Sequence, residues 1–146
     1  MYNRILVALD HTPADDTLVP HVTELARLTG GDLVLAHVAT GWVSHWGDQL
    51  NIDNTEEVRE DQAYLDRTAD RLRSEGFNVT ARLLLGDPAR ELLRFSRAEK
   101  CDLIAMTTHG HRFIYDLLIG STIDKVRHAS DIPLLVVRSS SGNRGS

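Results

Sequence analysis

A doubly wound α/β fold, with a five-stranded parallel sheet and helices on both faces, is the class this sequence predicts. Five short runs rich in Val, Ile and Leu recur along it, mostly without strict alternation, as strands buried on both faces do. Stretches of helical period lie between the runs. Glycines and helix caps fall at the joints.

The runs are RILVAL (4–9), DLVLAHV (32–38), VTARLLL (79–85), DLIAMT (102–107) and PLLVVR (133–138). After the first, Leu18, Val22 and Leu25 mark a helix, in which Pro20 must sit in the first turn or produce a kink. Gly30 and Gly31 follow it, where a left-handed C-terminal residue costs glycine little. Val58, Leu65, Ala69 and Leu72 mark the second helix, closed at Glu75-Gly76. In GDPARELL, Asp87 is the N-cap and Pro88 the first helical residue. In GSTIDKV, Ser121 caps the last helix and Asp124 lies in the first turn, where the dipole favours negative charge. Alternating strands and helices with right-handed crossovers give one parallel, Rossmann-like sheet.

The 146 residues suit one domain, read here as residues 1–138 with a disordered tail at 139–146. Hydrophobic residues make up 42% and charged residues 25%, an ordinary globular balance. A net charge of -5 and no Lys/Arg cluster argue against a nucleic-acid partner. No run of about 18 apolar residues occurs, so no membrane span is expected. A single cysteine, Cys101, excludes a disulfide framework and fits the reducing cytoplasm, its thiol capping a strand rather than reacting. The N-terminus reads as untargeted, and the Asn78 sequon is therefore a chance match.

In a doubly wound sheet, ligands bind outside the carboxyl ends of the strands, where strand order reverses. The residues there are small, polar or glycine: Asp10, His11 and Thr12, then Val38 to Gly41, Gly86 and Asp87, and Thr107 to Gly110. The aperiodic stretch 40–54 carries Trp42 and Trp46, which either close over a ligand or pack the loop onto the body or a second subunit.

Two glycine corners stand out. Gly110 follows the fourth strand; Gly120, Ser121 and Thr122 open a helix whose free N–H groups and positive dipole end attract an anion. Phosphate suits both corners, since glycine admits close backbone approach and hydroxyls add donors. His111 and Arg112 would add positive charge. By spacing alone, a turn and a cap without any ligand is the favoured reading. Neither a P-loop nor GxGxxG after the first strand is present.

Taken together, RILVALD, LVLAHV, GDPARELL, CDLIAMTTHG and LLIGSTIDKVRHASDIPLLVVR resemble the universal stress protein family, from residue 2 to about 138. The resemblance implies an adenine nucleotide alpha hydrolase-like fold and an adenine-nucleotide (ATP) site, with or without magnesium. It implies that Asp10, with His11 beside it, lies near the adenosine, that the backbone at Val38 meets the adenine, and that His109, Gly110 and His111 join Gly120, Ser121 and Thr122 around the phosphates. The nucleotide-binding branch of that family carries Gly, two residues, Gly, nine residues, Gly and Ser/Thr. Here Thr107 replaces the first glycine. Its Cβ and hydroxyl either crowd the ribose or α-phosphate or donate a hydrogen bond, and Phe113 and Tyr115 make the connecting segment bulky.

Three functions compete: a nucleotide-binding stress or signalling module, a dimeric interaction protein that no longer binds nucleotide, and a slow ATPase. Hydrolysis needs a water-orienting base; Asp10, His11, Asp87 and His109 are candidates, but no motif assigns the role, so no catalytic residue is expected. A receiver domain fails for want of a lysine at the end of the fifth strand. The pair His109 and His111, even with His45, lacks nameable further zinc ligands, so no metal site is expected. His37 reads as a satisfied core histidine, and His128 as a helix-end residue that favours the dipole. The last strand would lie at a sheet edge and is too apolar to stay open. In the resembled family it pairs with its twofold mate, which implies a homodimer through Leu134 to Arg138.

Overall fold

The computed structural model describes residues 1–39, 51–108 and 122–139, with the side chains of 51–55 excepted. The elements are β1 (Arg4–Ala8), α1 (Asp15–Thr29), β2 (Asp32–Ala39), α2 (Asn51–Ser74), β3 (Val79–Leu85), α3 (Pro88–Ala98), β4 (Leu103–Thr108) and β5 (Leu134–Arg138). A helical stretch at 122–129, α4, precedes β5. The five strands form one sheet in the order β3-β2-β1-β4-β5, and every neighbouring pair is parallel. The predicted fold class is present, and β5 is at an edge as expected.

Alternation along each strand divides the core into two layers. Ile5, Val7, Leu33, Leu35, Leu103 and Ala105 face α1 and α2, where they meet Leu18, Val22, Leu65, Ala69 and Leu72. Leu6, Val34, Ala36, Ile104 and Met106 face the other way, toward Leu92, Leu93 and Phe95 of α3 and Val126 of α4. The central strands are buried on both faces, but β3 and β5 are only partly covered. The apolar run at 79–85 is therefore an edge strand, a distinction its composition hides.

Local chemistry sets the element ends. Gly30 (φ 74) and Gly76 (φ 98) adopt the left-handed conformation after α1 and α2. Asp87 accepts from the Arg90 N–H at 3.0 Å, and Pro88 opens α3. Pro20 lies inside α1, beyond its first turn, so of the two alternatives open to it the first is not taken. Residues 51–54 of the stretch 40–54 are helical, because α2 begins at Asn51; Trp42 and Trp46 lie outside the described residues, as do 140–146 of the tail.

The amino-terminal edge of the sheet is tied down by charge. Asp102 accepts from the backbone N–H groups of Asn3 and Arg4 at 2.9 and 3.0 Å. Burial alone would raise its pKa, but those donors hold it below the usual carboxylate range. Arg4 reaches Glu99 at 2.6 Å and Asp32 at 3.3 Å. Cys101, beside them, is buried, which pushes its thiol up to about 11 and leaves it unreactive.

Candidate functional site

The site forms where β1 and β4 lie side by side and the chain has switched from one direction across the sheet to the other. Leu9 extends β1 by donating its N–H to Ala36 O at 2.8 Å. The chain then turns sharply, with His11 at φ 62, a left-handed conformation uncommon for a residue with a side chain. Asp15 holds this turn. It is 2% exposed, and its two oxygens accept the N–H groups of Asp10 (2.8 Å) and His11 (2.9 Å). The Tyr64 hydroxyl of α2 donates to the same carboxylate at 2.5 Å. Burial and that hydrogen bond keep the Tyr64 phenol protonated well above its ordinary range.

Asp10 is thereby presented at the carboxyl edge. Burial, and then the negative charge of Asp15, push its pKa up to about 7, partly offset by a hydrogen bond from Thr107. Thr107 Oγ1 donates to Asp10 Oδ2 at 3.4 Å, and Thr107 itself is buried at the end of β4. The Thr107 hydroxyl is thus turned toward Asp10. A carboxyl poised near neutrality in this position can donate or accept a hydrogen bond.

The structure joins a second group to these. His37, two residues after Leu35 on the α1/α2 face of β2, faces Asp61 of α2 at 3.4 Å, while its other ring nitrogen lies 2.8 Å from Leu9 O. His11 Nδ1 approaches the same Asp61 at 2.6 Å. The His11 ring stacks on Tyr64, 4.1 Å between centroids and 15° between planes. His37 is satisfied, as read from the sequence, but it stands at the site rather than deep in the core. Val38 points the other way, against the α3 layer.

Asp10, His11, Val38 and Thr107 therefore gather at one edge. Thr122 is the first described residue of α4. His109, Gly110, His111, Arg112, Gly120 and Ser121 lie outside the described residues. Asp15, Tyr64 and Asp61 were missed as site residues, although one signal was available. The α2 stripe of Leu65, Ala69 and Leu72, carried back one turn, falls on Asp61, a carboxylate where the pattern calls for an apolar side chain.

A model of the universal stress protein family matches residues 1–138. The chain belongs to the universal stress protein family. A universal stress protein of Methanocaldococcus jannaschii is 24% identical over 94% of this chain and 96% of its own; one from Bacillus subtilis is 24% identical over 94% and 100%. Among solved structures, a universal stress protein from Archaeoglobus fulgidus in complex with dAMP superposes with a TM-score of 0.67 at 19% identity, over 93% of this chain and 98% of that one. Another, in complex with cAMP, gives 0.70 at 21% identity, over 95% and 98%. At these identities the superpositions establish the shared fold. No helix among the described residues is long and apolar enough to cross a membrane.

Proposed function

We propose that this chain binds an adenine nucleotide such as ATP across the carboxyl edge of β1 and β4, and acts as a nucleotide-dependent module in stress response or signalling rather than as an enzyme. The observation that carries the reading is the Asp10–Thr107 contact at the switch point, with a carboxyl poised near pH 7. Two universal stress proteins of the same fold have been solved with dAMP and with cAMP. Asp10 then serves the ribose hydroxyls, to which it can donate as an acid or accept as a carboxylate. Val38 supplies backbone against the adenine, and Gly110, Gly120, Ser121 and Thr122, with His109, His111 and Arg112 near by, take the phosphates. A proton held on Asp10 makes it a poor magnesium ligand, since that cation wants ionised oxygens. Magnesium in this reading rides on the phosphates.

The protein works as a homodimer through β5. Val136 is 40% exposed on that edge strand, and among the described residues no strand lies beyond Leu134 to Arg138 in the sheet. The cytoplasm is the matching compartment, in keeping with a lone free thiol.

Titration calorimetry with ATP, with and without magnesium, tests the reading. Saturable binding abolished by Gly120→Val supports it. Absence of heat at millimolar ATP favours the second reading, a dimeric interaction protein without nucleotide, to which the replacement of a family glycine by Thr107 points.

A further inference from the structure

We propose that His11, His37 and Asp61 form a binding site for a divalent transition metal of the zinc class. Their ligand atoms, one from each residue, all lie within 4.8 Å of one another. The three come from the turn after β1, the end of β2 and the second helix, so only the tertiary fold assembles them.

The hydrogen-bond pattern around His37 is the second observation. Leu9 O can only accept, so the His37 Nδ1 it meets at 2.8 Å carries the proton. In the neutral ring Nε2 is then a bare lone pair, and it faces a carboxylate oxygen of Asp61 at 3.4 Å. Two acceptors pointed at each other repel unless a proton or a cation stands between them. A backbone carbonyl fixing one imidazole nitrogen while the other points at a shared centre is the outer-shell arrangement of metal-binding histidines. His11 brings its Nδ1 to the other oxygen of the same carboxylate, 2.6 Å away. Its ring is held by stacking on Tyr64 and by the Asp15 bond to its backbone.

Two imidazoles and one carboxylate suit zinc, cobalt, nickel or iron, and not magnesium or calcium, which take oxygen donors. Tetrahedral zinc places its ligand atoms roughly 3.3 Å apart. His37 Nε2 stands 3.4 Å from one Asp61 oxygen and His11 Nδ1 2.6 Å from the other, so a metal held by a single carboxylate oxygen takes a small rotation of that carboxylate as it replaces the proton. Three protein ligands leave a fourth position for water or an incoming group. His11 also belongs to the edge where the nucleotide is proposed to bind, so zinc is titrated with no nucleotide present.

The test is zinc titration of tag-free, chelator-stripped protein by calorimetry, repeated with cobalt(II) and read by visible absorption. The expected result is one zinc per chain, a tetrahedral cobalt spectrum, and at least tenfold weaker binding in His37→Ala and in Asp61→Asn. His21→Ala with His128→Ala should leave binding unchanged. Should His37→Ala fail to fold, His11→Ala carries the test, because that ring is one-third exposed and lies outside the core. Absence of saturable zinc binding, or binding that survives the His11, His37 and Asp61 changes, would overturn the proposal and leave the three residues as a hydrogen-bonded clamp between α2 and the sheet.

Discussion

Thr107 Oγ1 donates to Asp10 Oδ2 at 3.4 Å, tying the end of β4 to the residue just past β1 across the point where strand order reverses. Thr107→Val keeps the shape and removes the donor. The bond is long, so we expect a loss of about 0.5–1 kcal/mol in denaturant unfolding. Because the Thr107 bond favours the ionised carboxyl, the pKa of Asp10 should move further up in this variant, which carbon-detected titration of the Asp10 carboxyl would read.

Asp10 itself makes stability depend on pH. Its folded-state pKa, about 7, stands above the 3.8 of a free aspartate side chain. The folded state thus holds the proton more tightly, and stability contributed by this group is full below about pH 4 and is lost as pH rises through 7. Asp10→Asn should remove this slope. Relative to the wild type, it should be more stable at pH 8 than at pH 4 by on the order of 2 to 4 kcal/mol, measured by unfolding at both pH values.

Tyr64→Phe tests the turn that presents Asp10 and His11. The change keeps the ring that stacks on His11 and deletes the donor to Asp15, a buried carboxylate that still holds two backbone N–H groups. A cost of about 1–2 kcal/mol is expected, together with shifted amide resonances at Asp10 and His11.

How much of this was legible in the sequence depends on whether the signal was local. Strand runs, the Gly30 and Gly76 terminators and the Asp87 cap follow from periods and dihedral preferences carried by neighbouring residues, and all are present in the fold. Asp10 and Thr107 were marked because both end apolar strands. Tyr64 and Asp61 were not, because what defines them is a contact with residues some 50 positions earlier, which no local period encodes. The edge position of β3 was hidden for the same reason: VTARLLL is apolar enough for either place, and only the strand order decides. Pro20 shows the limit of a local rule, as its place inside α1 is set by the helix around it.

Val136→Lys tests the proposed dimer. A lysine on the open face of β5 should prevent strand pairing between copies. Light scattering should then report a monomer or an aggregate; an unchanged dimer would move the subunit contact elsewhere.

The most direct measurement of the central claim is to denature the purified protein, identify any released nucleotide by chromatography and mass spectrometry, and then present ATP to the stripped, refolded chain. The account predicts an adenine nucleotide near one per chain, either released or taken up. No nucleotide released and none bound at millimolar ATP would contradict it.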